Sequence, residues 1–171
     1  PMGTPVQRPV EVFRVHRTTL WATVFAALLL QTVLPLKLPL ARFFDLPLLV
    51  MIYFALLRRN VVFAIALGTT VGLLQDAFSN SPIGIFGMAK AVAGYLAATA
   101  SIKFDLEQLL ARLLLTAALV GVHGLFLLAL QHGLLEYPPP FEPLNLLAGL
   151  LVNVGLGLVL FQLLDRLRQP A

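Results

Sequence analysis

Cysteine is missing from this chain altogether, and charge is scarce: Asp, Glu, Lys and Arg together make up 12% of 171 residues. Without cysteine there can be no disulfide, no thiolate metal site and no cysteine nucleophile. A soluble domain carries about 25% charged residues and roughly 45 to 50% apolar ones. Here 59% are hydrophobic and the mean hydropathy is +0.91, so the deficit of charge corresponds to surface that faces lipid. The sequence also has no P-loop, no H-E-x-x-H and no G-x-S-x-G. Of its three serines, Ser79 and Ser81 fall in one turn. Its three histidines include no pair at i, i+4, and a metal site would need further ligands. An enzyme, a metal and a cofactor are therefore not expected. No internal repeat, low-complexity tract or dividing linker is visible.

What is present is a series of apolar blocks separated by basic residues. A span needs about 20 mainly apolar residues, because about 30 Å of hydrocarbon is crossed at roughly 1.5 Å per residue. The first block runs from about Thr19 to Leu36. The second, Leu46 to Leu57, is short; Asp45 is its expected N-cap, Pro47 lies in its first turn, and Arg58 and Arg59 close it. Pro35 and Pro39 oppose a continuous helix, so Leu38 to Phe44 is read as an interfacial or re-entrant piece. The third block is Val61 to Phe78, and Ser79 to Pro82 turns tightly into the fourth, Ile83 to about Ile102. Asp105 and Glu107 are expected to begin the fifth, which runs to Gln131, since negative charge suits a helix N-terminus. The sixth runs from about Pro143 to Leu164. The fold class is thus an all-α integral membrane protein with about six transmembrane helices: a cytoplasmic N-terminal segment over 1–18, a six-helix domain over 19–166 and a tail over 167–171. Pro1 to Thr4, with a plausible start at Met2, are set aside from the fold. No cleaved signal peptide is expected, because the first block is about as long as a span and no A-x-A site follows it.

The net charge of +4 is distributed between the blocks and not gathered on one face, which argues against nucleic acid and for topology signals. With six spans, Arg8, Arg14, Arg17, Arg58, Arg59, Lys103, Arg112, Arg166 and Arg168 fall on one side, and only Lys37 and Arg42 on the other. The basic side is cytoplasmic, so both termini are expected inside, with Glu136, Glu142 and the Pro138 to Pro140 run outside. Val10 to Arg17 could lie on an anionic leaflet as a short amphipathic helix or be disordered.

Polar residues at membrane depth usually face protein or a water-filled cavity. Five stand out: Gln31, Asp76, Lys90, His123 and Asn153. Counted inward at about 1.5 Å per residue, they lie roughly 3 to 15 Å below the outer boundary. Asp76 shares a stripe with Gly72 and Gly68, and Lys90 lies on one with Gly87 and Gly94, spacings that allow two helices to pack backbone to backbone. An ion pair between Asp76 and Lys90 is expected, with a proton or ion site on the same residues as the sharper alternative. On the sixth helix Asn145, Gly149, Asn153 and Gly157 recur every four residues and require a protein neighbour. His123 is read as a neutral imidazole bonded to a neighbouring helix.

From Gly72 to Tyr95 the sequence also carries an ordered set of motifs: Gly72-Leu73-Leu74-Gln75-Asp76, then Pro82-Ile83-Gly84, then Lys90 followed by Gly94-Tyr95. This order resembles the rod shape-determining protein family MreD, in which a Gly-Leu-x-x-Asp helix end, a Pro-x-Gly turn and a Lys followed by Gly-Tyr recur. The resemblance implies a non-enzymatic subunit of the bacterial cell-elongation machinery in the inner membrane. Its implied partner is MreC and, through it, the MreB cytoskeleton and peptidoglycan synthases. That family is also similar in architecture to the substrate-binding subunits of energy-coupling-factor vitamin transporters. A transporter subunit is accordingly the alternative, consistent with an outer-half polar layer and with Ala22 and Ala26, a spacing such subunits use against their transport partner.

Overall fold

The computed structural model describes residues 16–104, 106 and 108–167, and all regular structure among them is helical. Six α-helices follow in order: α1 Arg17–Lys37, α2 Leu46–Arg58, α3 Val61–Phe78, α4 Ile85–Lys103, α5 Leu109–Leu134 and α6 Pro143–Asp165, with a 3-10 turn over Pro39–Phe43 between α1 and α2. Five of these are long and apolar enough to cross a membrane, and α2 is not. Its 13 residues rise only about 20 Å. The sequence reading of about six spans with a short second one meets six helices of which α2 is the short one, the 3-10 turn taking up chain that a longer helix would need.

Most block boundaries fall within two or three residues of the sequence reading. The exception is the start of α5, which opens at Leu109 behind Gln108 with no acidic residue in its first turn. Asp105 and Glu107, expected to begin it, lie outside the described residues, as do residues 10–15 of the expected amphipathic segment. Pro35 does not end α1. It sits in the last turn, where Leu38 N–H still bonds to Leu34 O at 2.8 Å.

α2 is the axis of the bundle. It touches α1, α3, α4 and α6, and every residue from Leu46 to Leu56 is buried. A helix that is apolar all round has no preferred outer face and goes to the middle. Its start is fixed by Asp45, whose Oδ1 accepts from Leu48 N at 3.0 Å. Its end is an Arg59 in the left-handed region, with φ 49°.

α3 and α4 form the closest helix pair. A methyl group added at Gly68 would fall on the Lys90 carbonyl, one at Gly72 on the Phe86 carbonyl, and one at Gly94 on the Ala64 carbonyl. In lipid, where hydrophobic burial drives helix association little, such approach supplies the packing energy directly. Gly87 meets the Leu73 side chain instead. Between the two helices, Gly84 takes φ 107°, a conformation that favours glycine. On α6, Gly157 lies within ordinary packing distance of Leu49 and Thr116, Gly149 only approaches Phe43 O, at 3.8 Å from an added Cβ, and Asn145 is exposed. The small face of α6 therefore meets protein from Gly149 onward, and Asn145 in the first turn does not.

The helices alternate in direction, which gathers Arg17, Arg58, Arg59, Lys103, Arg112 and Arg166 at one end of the bundle. Lys37, Arg42, Glu136 and Glu142 lie at the other.

Candidate functional site

In hydrocarbon every backbone N–H and C=O needs a protein partner. The break between α1 and α2 frees several such groups inside the bundle, and the polar side chains converge there. Gln31 of α1 donates from Nε2 to Phe44 O at 2.9 Å and accepts from Leu46 N at 3.0 Å. Asn153 of α6 accepts from Asp45 N at 2.8 Å and donates to Phe43 O and Gly149 O, both at 2.8 Å. Asn153 is buried and Gln31 half-buried. Two amides from helices on either side thus splint residues 43–46.

Lys90 completes the splint. Its ammonium has no exposed surface and lies 2.6 Å from Asp45 Oδ2, with the Phe86 ring centroid 5.1 Å away. Asp45 caps α2 with one oxygen and neutralises Lys90 with the other. The expected pair between Asp76 and Lys90 is not formed. Asp76, also fully buried, accepts from Gly84 N at 2.8 Å, Phe86 N at 3.1 Å and Gly87 N at 3.3 Å. It is engaged by the exposed amides of the α4 N-terminus, where negative charge is favoured, and Lys90 turns inward to α2. Sequence reasoning named Asp45 as a cap and stopped there. The missed signal is that a carboxylate using one oxygen as a cap keeps a second oxygen that, at membrane depth, needs a partner.

His123 is buried on α5, and its Nε2 has no partner among the described residues; nor has Oε1 of Gln75 beside Asp76. The expected hydrogen bond of the His123 imidazole to a neighbouring helix is not made by this nitrogen. A second polar cluster holds Arg112, which the sequence reading uses only as a topology charge. Asp165 of α6 holds Arg112 of α5 with two bonds, at 2.8 and 3.1 Å, and accepts from Tyr53 of α2 at 3.0 Å. The guanidinium also stacks near Phe161, 5.1 Å from its centroid. This clamp joins α2, α5 and α6 at the basic end.

With this geometry in view, the comparison with known families is decisive. The profile of the rod shape-determining protein MreD matches residues 12–167, nearly the whole chain. The chain belongs to the MreD family. No curated protein and no solved structure matches it. The residues that first suggested MreD build the α3–α4 hairpin and its tie to the core. Gly72 and Gly94 set the helix approach, Asp76 caps α4, Gly84 shapes the turn and Lys90 reaches α2. Tyr95 differs, being about half exposed on the outside of α4. MreD is a family of shape-determining membrane proteins, and this member has five helices able to span a bilayer.

Proposed function

We propose that this member of the MreD family is a non-enzymatic scaffold of the rod complex in the inner membrane, with both termini cytoplasmic. In this reading it holds MreC by its helices and outer loops and, through MreC, serves MreB and the peptidoglycan synthases. The observation that carries the reading is the occupied N-terminus of α2. Transporters built on discontinuous helices aim such a half-helix start at an anionic solute. Here that position is filled by the chain's own Asp45 carboxylate, already neutralised by Lys90. The polar layer thus serves internal order. Gly68, Gly72 and Gly94 face their own hairpin, so a partner helix would meet outward faces whose exposed large side chains are apolar, such as Leu29 on α1, Leu125 on α5 and Leu151 on α6. In this reading a partner's outer domain meets the Pro138 to Pro140 run, beside which Tyr137 and Phe141 are exposed.

The transporter-subunit reading keeps one supporting observation: Ala22 and Ala26 both lie exposed on α1. The two separate in one experiment. The purified protein is expected to co-elute with its cognate MreC from detergent, and vitamin-like small molecules are expected to leave its melting temperature unchanged. Saturable stabilisation by such a molecule, with no capture of MreC, would favour the transporter.

A further inference from the structure

The chain between α5 and α6 reads Glu136-Tyr137-Pro138-Pro139-Pro140-Phe141-Glu142. Three consecutive prolines leave it little choice of shape. Each fixes its own φ near about −65° and pushes the residue before it out of the helical region. Residues 137–140 therefore run extended, as a left-handed polyproline strut that rises about 3.1 Å per residue. Both ends are tied to helices: Leu135 N–H closes α5 on Gln131 O at 3.0 Å, and Asn145 N–H opens α6 on Glu142 O at 3.1 Å. Between these ties, residues 136–141 make no backbone hydrogen bond with any described residue. Tyr137 is 85% exposed and Phe141 55%, and Pro139 and Pro140 are exposed between them. Glu136 and Glu142 flank the run, both exposed and neither paired with a cation among the described residues.

We infer that residues 137–141 are a preformed polyproline ligand for a groove on a partner's outer domain, lined by aromatic side chains and rimmed by Lys or Arg. This mode of docking rests on the scaffold reading and specifies how the outer contact is made. Aromatic-lined grooves read polyproline segments because the shape is already set and little entropy is lost on docking. Proline has no N–H, so the strut offers carbonyl acceptors only, which a tryptophan or tyrosine of the groove can satisfy by donating. The two flanking carboxylates set the sign of the rim. They also decide against the other use of boundary aromatics, anchoring among lipid headgroups, because unpaired negative charge beside Tyr137 and Phe141 is repelled by anionic lipid.

The test uses the full chain and full-length MreC in detergent. With benzoylphenylalanine in place of Tyr137, illumination is expected to cross-link the two, and mass spectrometry to place the link in the outer domain of MreC beside aromatic and basic residues. Pro138→Gly, Pro139→Gly and Pro140→Gly together free the strut and are expected to weaken MreC binding about tenfold, the order set by the added freedom of the unbound segment. The melting temperature of the protein alone is expected to stay unchanged; should it fall, Tyr137→Ala, with a similar expected loss of affinity, decides in its place. Glu136→Gln with Glu142→Gln is expected to flatten the salt dependence of binding. Unchanged affinity in the glycine and alanine variants, or a link confined to the membrane helix of MreC, would overturn the docking strut and leave the scaffold reading standing. Failure of MreC to bind the unaltered protein would remove both. Quenching of Tyr137→Trp fluorescence by brominated lipid within the MreC complex would assign the aromatics to the membrane and also overturn the strut.

Discussion

Lys90 brings an ammonium with no exposed surface into the bundle and neutralises it on Asp45 at 2.6 Å. Removing one partner of such a pair leaves an uncompensated buried charge. Lys90→Met and Asp45→Asn should therefore each destabilise the protein by about 3 to 5 kcal/mol, with the double variant recovering part of the loss. The asparagine keeps a capping oxygen for Leu48 N, so the loss reports mainly on the charge. Asp76 is engaged by backbone amides of α4, so its coupling to Lys90 in a double-mutant cycle should be the smaller of the two. Unfolding in detergent measures both cycles, and a coupling of Asp76 with Lys90 as large as that of Asp45 would reject this arrangement.

At the scale of elements, the α3–α4 hairpin and the broken start of α2 define the bundle. The hairpin depends on backbone approach, so Gly72→Ala, whose methyl would meet the Phe86 carbonyl, should cost about 1 to 3 kcal/mol by overpacking. Gly155 on α6 has open space where a methyl would go. Its replacement by alanine should be neutral or stabilising by up to about 1 kcal/mol, the difference in helix propensity. Melting temperatures of the two variants in one detergent test the contrast; equal effects would mean that backbone contact is not what holds α3 to α4. The helices themselves were legible from block length and from basic or proline punctuation. α2 was legible as short, with its cap and both ends. Its position on the axis was not, because burial of an all-apolar helix depends on which neighbours surround it.

For the molecule as a whole, the proposed placement of both termini on one side requires the short α2 to count as a crossing, and the distribution of basic residues between the helices is what supports it. Because the sequence has no cysteine, single cysteines report sidedness without background. Ser81→Cys and Glu136→Cys should react with an impermeant reagent from outside the cell, and Arg59→Cys only after the membrane is opened. Labelling of Arg59→Cys in intact cells would reverse the orientation given by the basic residues.

By itself the sequence determined the membrane class, the six helices, the glycine stripes that bring α3 and α4 together and the motifs of the MreD family. All of these are local: hydropathy, spacing and turn residues act along the chain. Only the tertiary structure decided the partners of the polar residues. Gln31, Asp45, Lys90 and Asn153 come from four separate segments, and they converge because the broken backbone at residues 43–46 leaves amides and carbonyls that lipid cannot satisfy. Asp76 and Lys90, close in sequence and opposite in charge, do not pair with each other, because the amides at the start of α4 take Asp76 and the carboxylate of Asp45 takes Lys90.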